Sequence, residues 1–159
     1  MKKIIPIVLG VLLFASCGGK NILDEDREFN RDIWNRFTPE SFEFQVNNTN
    51  DYYNIDLTVA IDTAIYRYRQ FPVYLELKSP DGESRRFNGQ VDFMERGSWR
   101  GEEQGPYRVI TGRMRSYMSF NSKGHHTLEV GQTTSQYDLE GIHSIKANIY
   151  KVKLDYDKL

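Results

Sequence analysis

The chain has 159 residues, 13% of them aromatic and 27% charged, with a formal net charge of −1. So many large rings are foreign to a disordered chain, and the lack of a basic surplus argues against a nucleic-acid partner, whose phosphates would have to be neutralised. A single cysteine, Cys17, leaves no partner for an internal disulfide.

The first segment has three parts. Lys2 and Lys3 are basic, Ile4 to Phe14 form an apolar block, and Ala15 and Ser16 are small residues leading to Cys17. A block of that length spans roughly 16 Å as a helix, about half of a ~30 Å hydrocarbon core, so it reads as a signal peptide over residues 1–16 and not as a membrane span. The pattern resembles a bacterial lipobox, with Phe14 where leucine is usual. That resemblance implies cleavage before Cys17 and acylation of its thiol and amine. A disulfide or a thiolate nucleophile is the weaker reading, since a secretion signal offers neither a partner nor a base. No second apolar run approaches spanning length, so membrane contact is expected from the anchor alone, and two or more acyl chains suffice to hold it.

Residues 17–31 are then expected to be the lipidated cysteine and a flexible tether. They are poor in large apolar residues and carry the acidic run Asp24–Glu25–Asp26. The domain proper is expected over 32–159, a length that can bury a real core.

From there period two dominates. Phe42, Phe44 and Val46 alternate with polar residues, and so do Tyr53 to Ile61, Val73 to Leu77, Phe87 to Phe93, Met114 to Phe120, Leu128 with Val130, and Ile145 to Ile149. That is the mark of half-buried antiparallel strands. The apolar phase then jumps from Ile149 to Tyr150, Val152 and Leu154, which suggests a β-bulge. Turns are expected at 47–51, at Ser79-Pro80-Asp81-Gly82 and at 121–124, with the longest loop at 96–106. Thr38-Pro39-Glu40-Ser41 could open a helix, although the residues that follow alternate as a strand does. Gln132–Gly141 has room for one short turn. About eight strands without βαβ spacing predict an all-β fold, an antiparallel β-sandwich of jelly-roll type.

Several short motifs, in order, carry a family resemblance. They are Trp34, F-E-F-Q-V at 42–46, Y-N-I-D-L-T-V-A-I at 53–61, R-Q-F-P-V-Y-L-E-L at 69–77, G-S-W-R-G at 97–101, Gly124 with H-H-T-L-E-V-G-Q, and L-E-G-I at 139–142 followed by S-I-K-A-N-I-Y. Over roughly 29–153 the chain resembles the GldH family of gliding-motility lipoproteins of Bacteroidetes. It departs from that pattern at Thr134-Ser135-Gln136, where the family often shows Met-Arg, and at Phe71-Pro72, where it shows Tyr-Pro. The resemblance implies a lipid-anchored protein of the cell outer membrane, at the periphery of the gliding and secretion machinery, with envelope protein partners and no enzymatic activity. Whether it faces the periplasm or the surface stays open.

No catalytic constellation, cofactor motif or metal set is expected. Adjacent strand residues point to opposite faces, so His125 and His126 cannot share an ion, and His143 is far along the chain; all three zinc-type ligands are therefore unassembled, and the first two are expected to be exposed. Glu102–Glu103, Asp24–Glu25–Asp26 and Asp155 with Asp157 read as solvated charge and not as a hydrolase pair. The G-S-W-R-G loop is the most suggestive stretch. Its glycines let Trp99 fold inward as a plug for one end of the sandwich, which is the plainer reading. Alternatively Trp99, with Arg100 and Tyr107, forms a contact for a partner protein or a glycan. Trp34 is expected to be a core plug. Arg113, Arg115 and Tyr117 should share one polar sheet face.

Overall fold

A computed structural model describes residues 21–154. The elements run β1 (Asn21–Glu28), a 3-10 turn (Asn30–Asp32), β2 (Ile33–Asn35), β3 (Glu40–Val46), β4 (Tyr52–Ile61), β5 (Gln70–Lys78), β6 (Ser84–Asp92), β7 (Met94–Glu95), β8 (Ser98–Trp99), β9 (Glu102–Gln104), β10 (Tyr107–Met118), β11 (Gly124–Gln132), β12 (Asp138–Glu140) and β13 (Ile142–Val152). Eight of the strands are long, and the other five are two or three residues each.

One sheet has the order β1-β13-β4-β10-β9 and the other β3-β11-β5-β6, with all pairings antiparallel. Among the eight long strands alone, the first sheet takes the first, eighth, third and sixth, and the second takes the second, seventh, fourth and fifth. That interleaving is the jelly roll expected from the alternation.

The alternation fixes which side is buried. Ile55, Leu57, Val59 and Ile61 of β4 and Ile145, Ala147 and Ile149 of β13 are buried, as are Phe42, Phe44 and Val46 of β3 and Phe71, Val73, Leu75 and Leu77 of β5. They join in one core. Each large aliphatic side chain fully removed from water contributes about 1.5–3 kcal/mol, which is what locks the register. Trp34 plugs this core as expected. It is buried, stacks on Phe29 at 4.7 Å, and donates its indole N–H to the Thr38 carbonyl at 2.9 Å.

Three expectations are corrected. The tether expected over 17–31 overlaps a strand: from Asn21 the chain is β1, paired along β13 from Asn21↔Tyr150 to Glu28↔Ser144, so residues 21–31 belong to the folded domain. Its acidic run is not free charge, because Asp24 pairs with Lys146 at 2.8 Å and Glu25 with Arg27 at 3.1 Å. Secondly, β13 shows no bulge at Ile149–Tyr150. Its pairing with β4 is continuous from Ser144 to Val152, and its irregularity lies between Ile142 and Ser144. The irregularity facing Tyr150 belongs to β1, between Asn21 and Leu23. Thirdly, residues 38–41 open no helix, since β3 begins at Glu40. Cys17, the signal peptide and the tail from Asp155 lie outside the described residues.

The antiparallel path sorts the loops into two groups. The chain enters β1 beside the C-terminal part of β13, and segments 47–51, 79–83 and 119–123 turn at that end. Segments 29–39, 62–69, 93–106 and 133–141 turn at the other end.

Candidate functional site

The distal end, opposite the entry of β1, carries most of the exposed aromatic side chains among the described residues. Its geometry starts at Asp62, just past β4. The Asp62 carbonyl accepts from the amides of Ile65 (3.1 Å) and Tyr66 (2.8 Å), and its carboxylate accepts from the amide of Ala64 at 2.9 Å. This tight turn drives Tyr66 inward. Its ring meets Phe93 edge-on at 5.2 Å, and its hydroxyl donates to the Gln70 carbonyl at 2.9 Å. Burial pushes the Tyr66 phenol well above its ordinary value, keeping it a neutral donor. With Tyr66 pinned, Ile65, Arg67, Tyr68 and Arg69 are left outward.

Trp99 stands beside them. Arg96 and Gly97 both have positive φ (50° and 83°), so β7 and β8 form a two-residue hairpin with Trp99 opposite Met94. Trp99 is 40% exposed and is not an inward plug. It lines a concavity of about 390 Å3 with Ala64, Tyr66, Tyr68 and Met94. A second concavity of about 300 Å3, between Ile65, Gln136, Asp138 and Glu140, shares Arg67 and Tyr68 with the first. The two adjoin at these shared side chains, and together they are called the trough. Gln136 reaches across it, donating from Nε2 to the Tyr68 hydroxyl at 3.2 Å.

Next to the trough, Phe37 and Tyr137 stack on each other at 5.6 Å while staying 70% and 65% exposed. The Arg36 amide donates to the Tyr137 carbonyl at 2.7 Å and ties the two segments together. Of the six exposed large apolar side chains among the described residues, five (Phe37, Ile65, Tyr68, Trp99 and Tyr137) belong to this end. Lone exposed apolar residues are ordinary, whereas a cluster marks a contact surface.

The sequence-predicted trio does not come together. Arg100 is half-buried and turned to the fold: its amide donates to the Phe93 carbonyl at 2.8 Å and its guanidinium to the Asp92 carbonyl at 3.1 Å. Tyr107 lies on β10, in a different cluster. Its ring stacks on His143 at 3.9 Å, and its hydroxyl donates to Asp32 Oδ2 at 3.0 Å. The second Asp32 oxygen meets His143 Nδ1 at 2.8 Å. The hydrogen bond to Asp32 raises the Tyr107 phenol above its ordinary value. This cluster pins the 3-10 turn, where Arg31 and Asp32 both take left-handed backbone, to β13.

Other expectations divide similarly. His125 is exposed and His126 buried, so the two do point apart, but His126 packs between Phe44 and Phe120 and is no surface residue. Among the described residues no three His, Cys, Asp or Glu side chains converge as metal ligands. Glu102 and Glu103 are exposed on β9, with Glu103 paired to Arg108 at 3.2 Å. Arg113 and Arg115 do not share a face. Arg113 pairs with Asp56 and donates to the Tyr150 hydroxyl at 2.7 Å, while register shifts in β10 swing Arg115 over the Phe87 ring of β6, 4.3 Å from its centroid. The sequence reading missed Ile65, Tyr68, Phe37 and Tyr137. The one available signal was I-Y-R-Y-R-Q at 65–70, aromatic residues interleaved with arginines where alternation stops.

No curated protein and no solved structure matches this chain. The model of one family, described as GldH lipoprotein, matches residues 21–149, which is most of the chain and nearly all of the jelly roll. The chain therefore belongs to the GldH lipoprotein family, and it is a gliding-motility-related lipoprotein, associated with membrane through lipid.

Proposed function

We propose that the protein is a non-enzymatic interaction component of the gliding or secretion machinery, held at the outer membrane by acylation of Cys17. The observation that carries this reading is the concentration of exposed aromatic side chains at the end remote from the anchor. Only residues 18–20 separate Cys17 from β1, and that stretch reaches at most about 14 Å. The membrane therefore lies against the entry end, and a ten-residue strand lifts the distal end roughly 33 Å above it. A docking surface belongs where a partner can reach it. The Phe37–Tyr137 pair suits the anchor of a protein interface, being large, aromatic and stiffened by its own stacking. The polar clusters support a structural reading: Asp32, Tyr107 and His143, and likewise Asp56, Arg113 and Tyr150, hydrogen-bond one another within the fold.

The test is photo-cross-linking in intact cells from a benzoylphenylalanine placed at 37 or 137, with position 117 at the opposite end as control. An adduct with an envelope protein from the distal positions alone is expected. Adducts from 117 only, or none from 37 and 137, overturn the assignment of the surface. Cys17→Ala should move the protein out of the membrane fraction, and retention there would refute the anchor.

A further inference from the structure

The trough beside Phe37 and Tyr137 has a chemistry of its own, independent of the partner role. Its Trp99 half offers the exposed rings of Trp99 and Tyr68 and two guanidinium groups, Arg67 and Arg69. Among the described residues neither arginine has a carboxylate within ion-pair distance, whereas Arg85, Arg108, Arg113, Lys78 and Lys151 each have one. Its other half keeps Arg67 and adds acceptors: Gln136, Asp138 and Glu140 join Ile65 and Tyr68 there. The floor is stiff, because Tyr66 and the Asp62 turn hold it and Gln136 is hydrogen-bonded to Tyr68.

We propose that this trough binds an acidic glycan, a uronate-containing oligosaccharide whose ring faces lie on Trp99 and Tyr68 and whose carboxylates pair with Arg67 and Arg69. Each part of the site matches one part of such a ligand. The C–H face of a pyranose is flat and apolar and covers an aromatic ring. A carboxylate fits a guanidinium fork with two parallel hydrogen bonds. Sugar hydroxyls both donate and accept, so they satisfy Asp138 and Glu140 at one end as well as the arginines at the other. An acidic peptide also satisfies the arginines, but it brings Asp138 and Glu140 only single backbone N–H donors, where each sugar ring brings several hydroxyls. An apolar peptide leaves the planar polar groups of the second half desolvated without partners, at a cost.

The experiment uses the full chain purified in detergent. The protein has two tryptophans. Trp34 is buried and Trp99 exposed, so quenching of the exposed fraction of the emission reports on the trough. The probes are oligomannuronate, oligogalacturonate, neutral laminari-oligosaccharide and polyglutamate of matched charge, read by fluorescence and by titration calorimetry. Saturable binding of at least one oligouronate is expected, at least tenfold weaker in Trp99→Ala and in Arg67→Gln, with unchanged circular dichroism. Neutral oligosaccharide should bind at least tenfold more weakly. The proposal is overturned if neither oligouronate binds at millimolar concentration, if laminari-oligosaccharide binds equally, or if polyglutamate competes with equal affinity. A partner protein captured at Phe37 leaves all three results unaffected, so the two ideas fail separately.

Discussion

Replacing Leu23 by alanine separates a tether from a strand. Leu23 is 3% exposed, sits on β1 opposite Ile149, and belongs to the common core. Truncating a buried leucine costs about 2–5 kcal/mol, from lost transfer free energy plus the cavity left behind. An edge strand can settle partly into the space, so the lower part of that range applies, about 2–3 kcal/mol. For a domain of this size that lowers the melting temperature by roughly 6–12 °C. The assay is urea unfolding followed by circular dichroism, with Glu25→Ala as the control in the same strand. Glu25 is solvent-facing and paired only with Arg27, so its loss should stay within about 0.5 kcal/mol. If Leu23→Ala also stays within about 0.5 kcal/mol, β1 contributes nothing to the core and the tether reading returns.

Asp32→Ala strips both Tyr107 and His143 of their common partner and leaves alanine in left-handed backbone; a loss of about 2–3 kcal/mol in urea unfolding is expected, and a neutral result would show the cluster to be dispensable. Gly101 has φ +72° and an added Cβ would sit 2.0 Å from the Val109 carbonyl oxygen, so Gly101→Ala should cost more than about 2 kcal/mol or detach β9, seen as a lower melting temperature. Burial raises the Glu129 carboxyl, but hydrogen bonds from Tyr74 and Lys78 outweigh it and hold the group below its ordinary 4.5. Its contribution is therefore present above that value and lost as pH falls through the folded pKa; Glu129→Gln should flatten the fall in urea midpoint below pH about 4.5, and an unchanged slope would count against the network. The same contact acts at the alkaline limit: burial, then the bond to Glu129, pushes Tyr74 up to about 12 from 10.0, so its contribution is full below pH 10 and fades as pH climbs towards the raised value, and Tyr74→Phe should remove that part of the alkaline loss.

What the sequence disclosed was whatever the core pays for in apolar area. Seven of the long strands bury alternate large side chains, and period two exposed them, together with the jelly roll they build. β1 escaped because it is an edge strand. Asp24, Glu25 and Asp26 are exposed, Asp24 pairing with Lys146 and Glu25 with Arg27, and charge of that kind, which keeps an edge from pairing with another chain, reads in sequence as a coil. His126 was misjudged because residue type says less than phase: it continues the inward set of Leu128 and Val130. The bulge near Ile149 was misplaced because a step in apolar phase also arises where the outer face carries a large ring, as Tyr150 does with its hydroxyl bonded to Asp56. The site was legible only at Trp99. Tyr107 is eight residues away in sequence but stacks on His143, a long-range pairing that no local spacing encodes, and Tyr68 reaches the trough only because Tyr66 is drawn inward.

The placing of β1 also decides how the molecule carries load. A pull that enters at Asn21 and is resisted by a partner on the distal loops runs along the strand axis, and the hydrogen bonds joining β1 to β13 lie across it. Those bonds are then sheared together and cannot be peeled one at a time, so the whole paired length must yield at once. A jelly roll gripped at both ends in this way would act as a stiff strut.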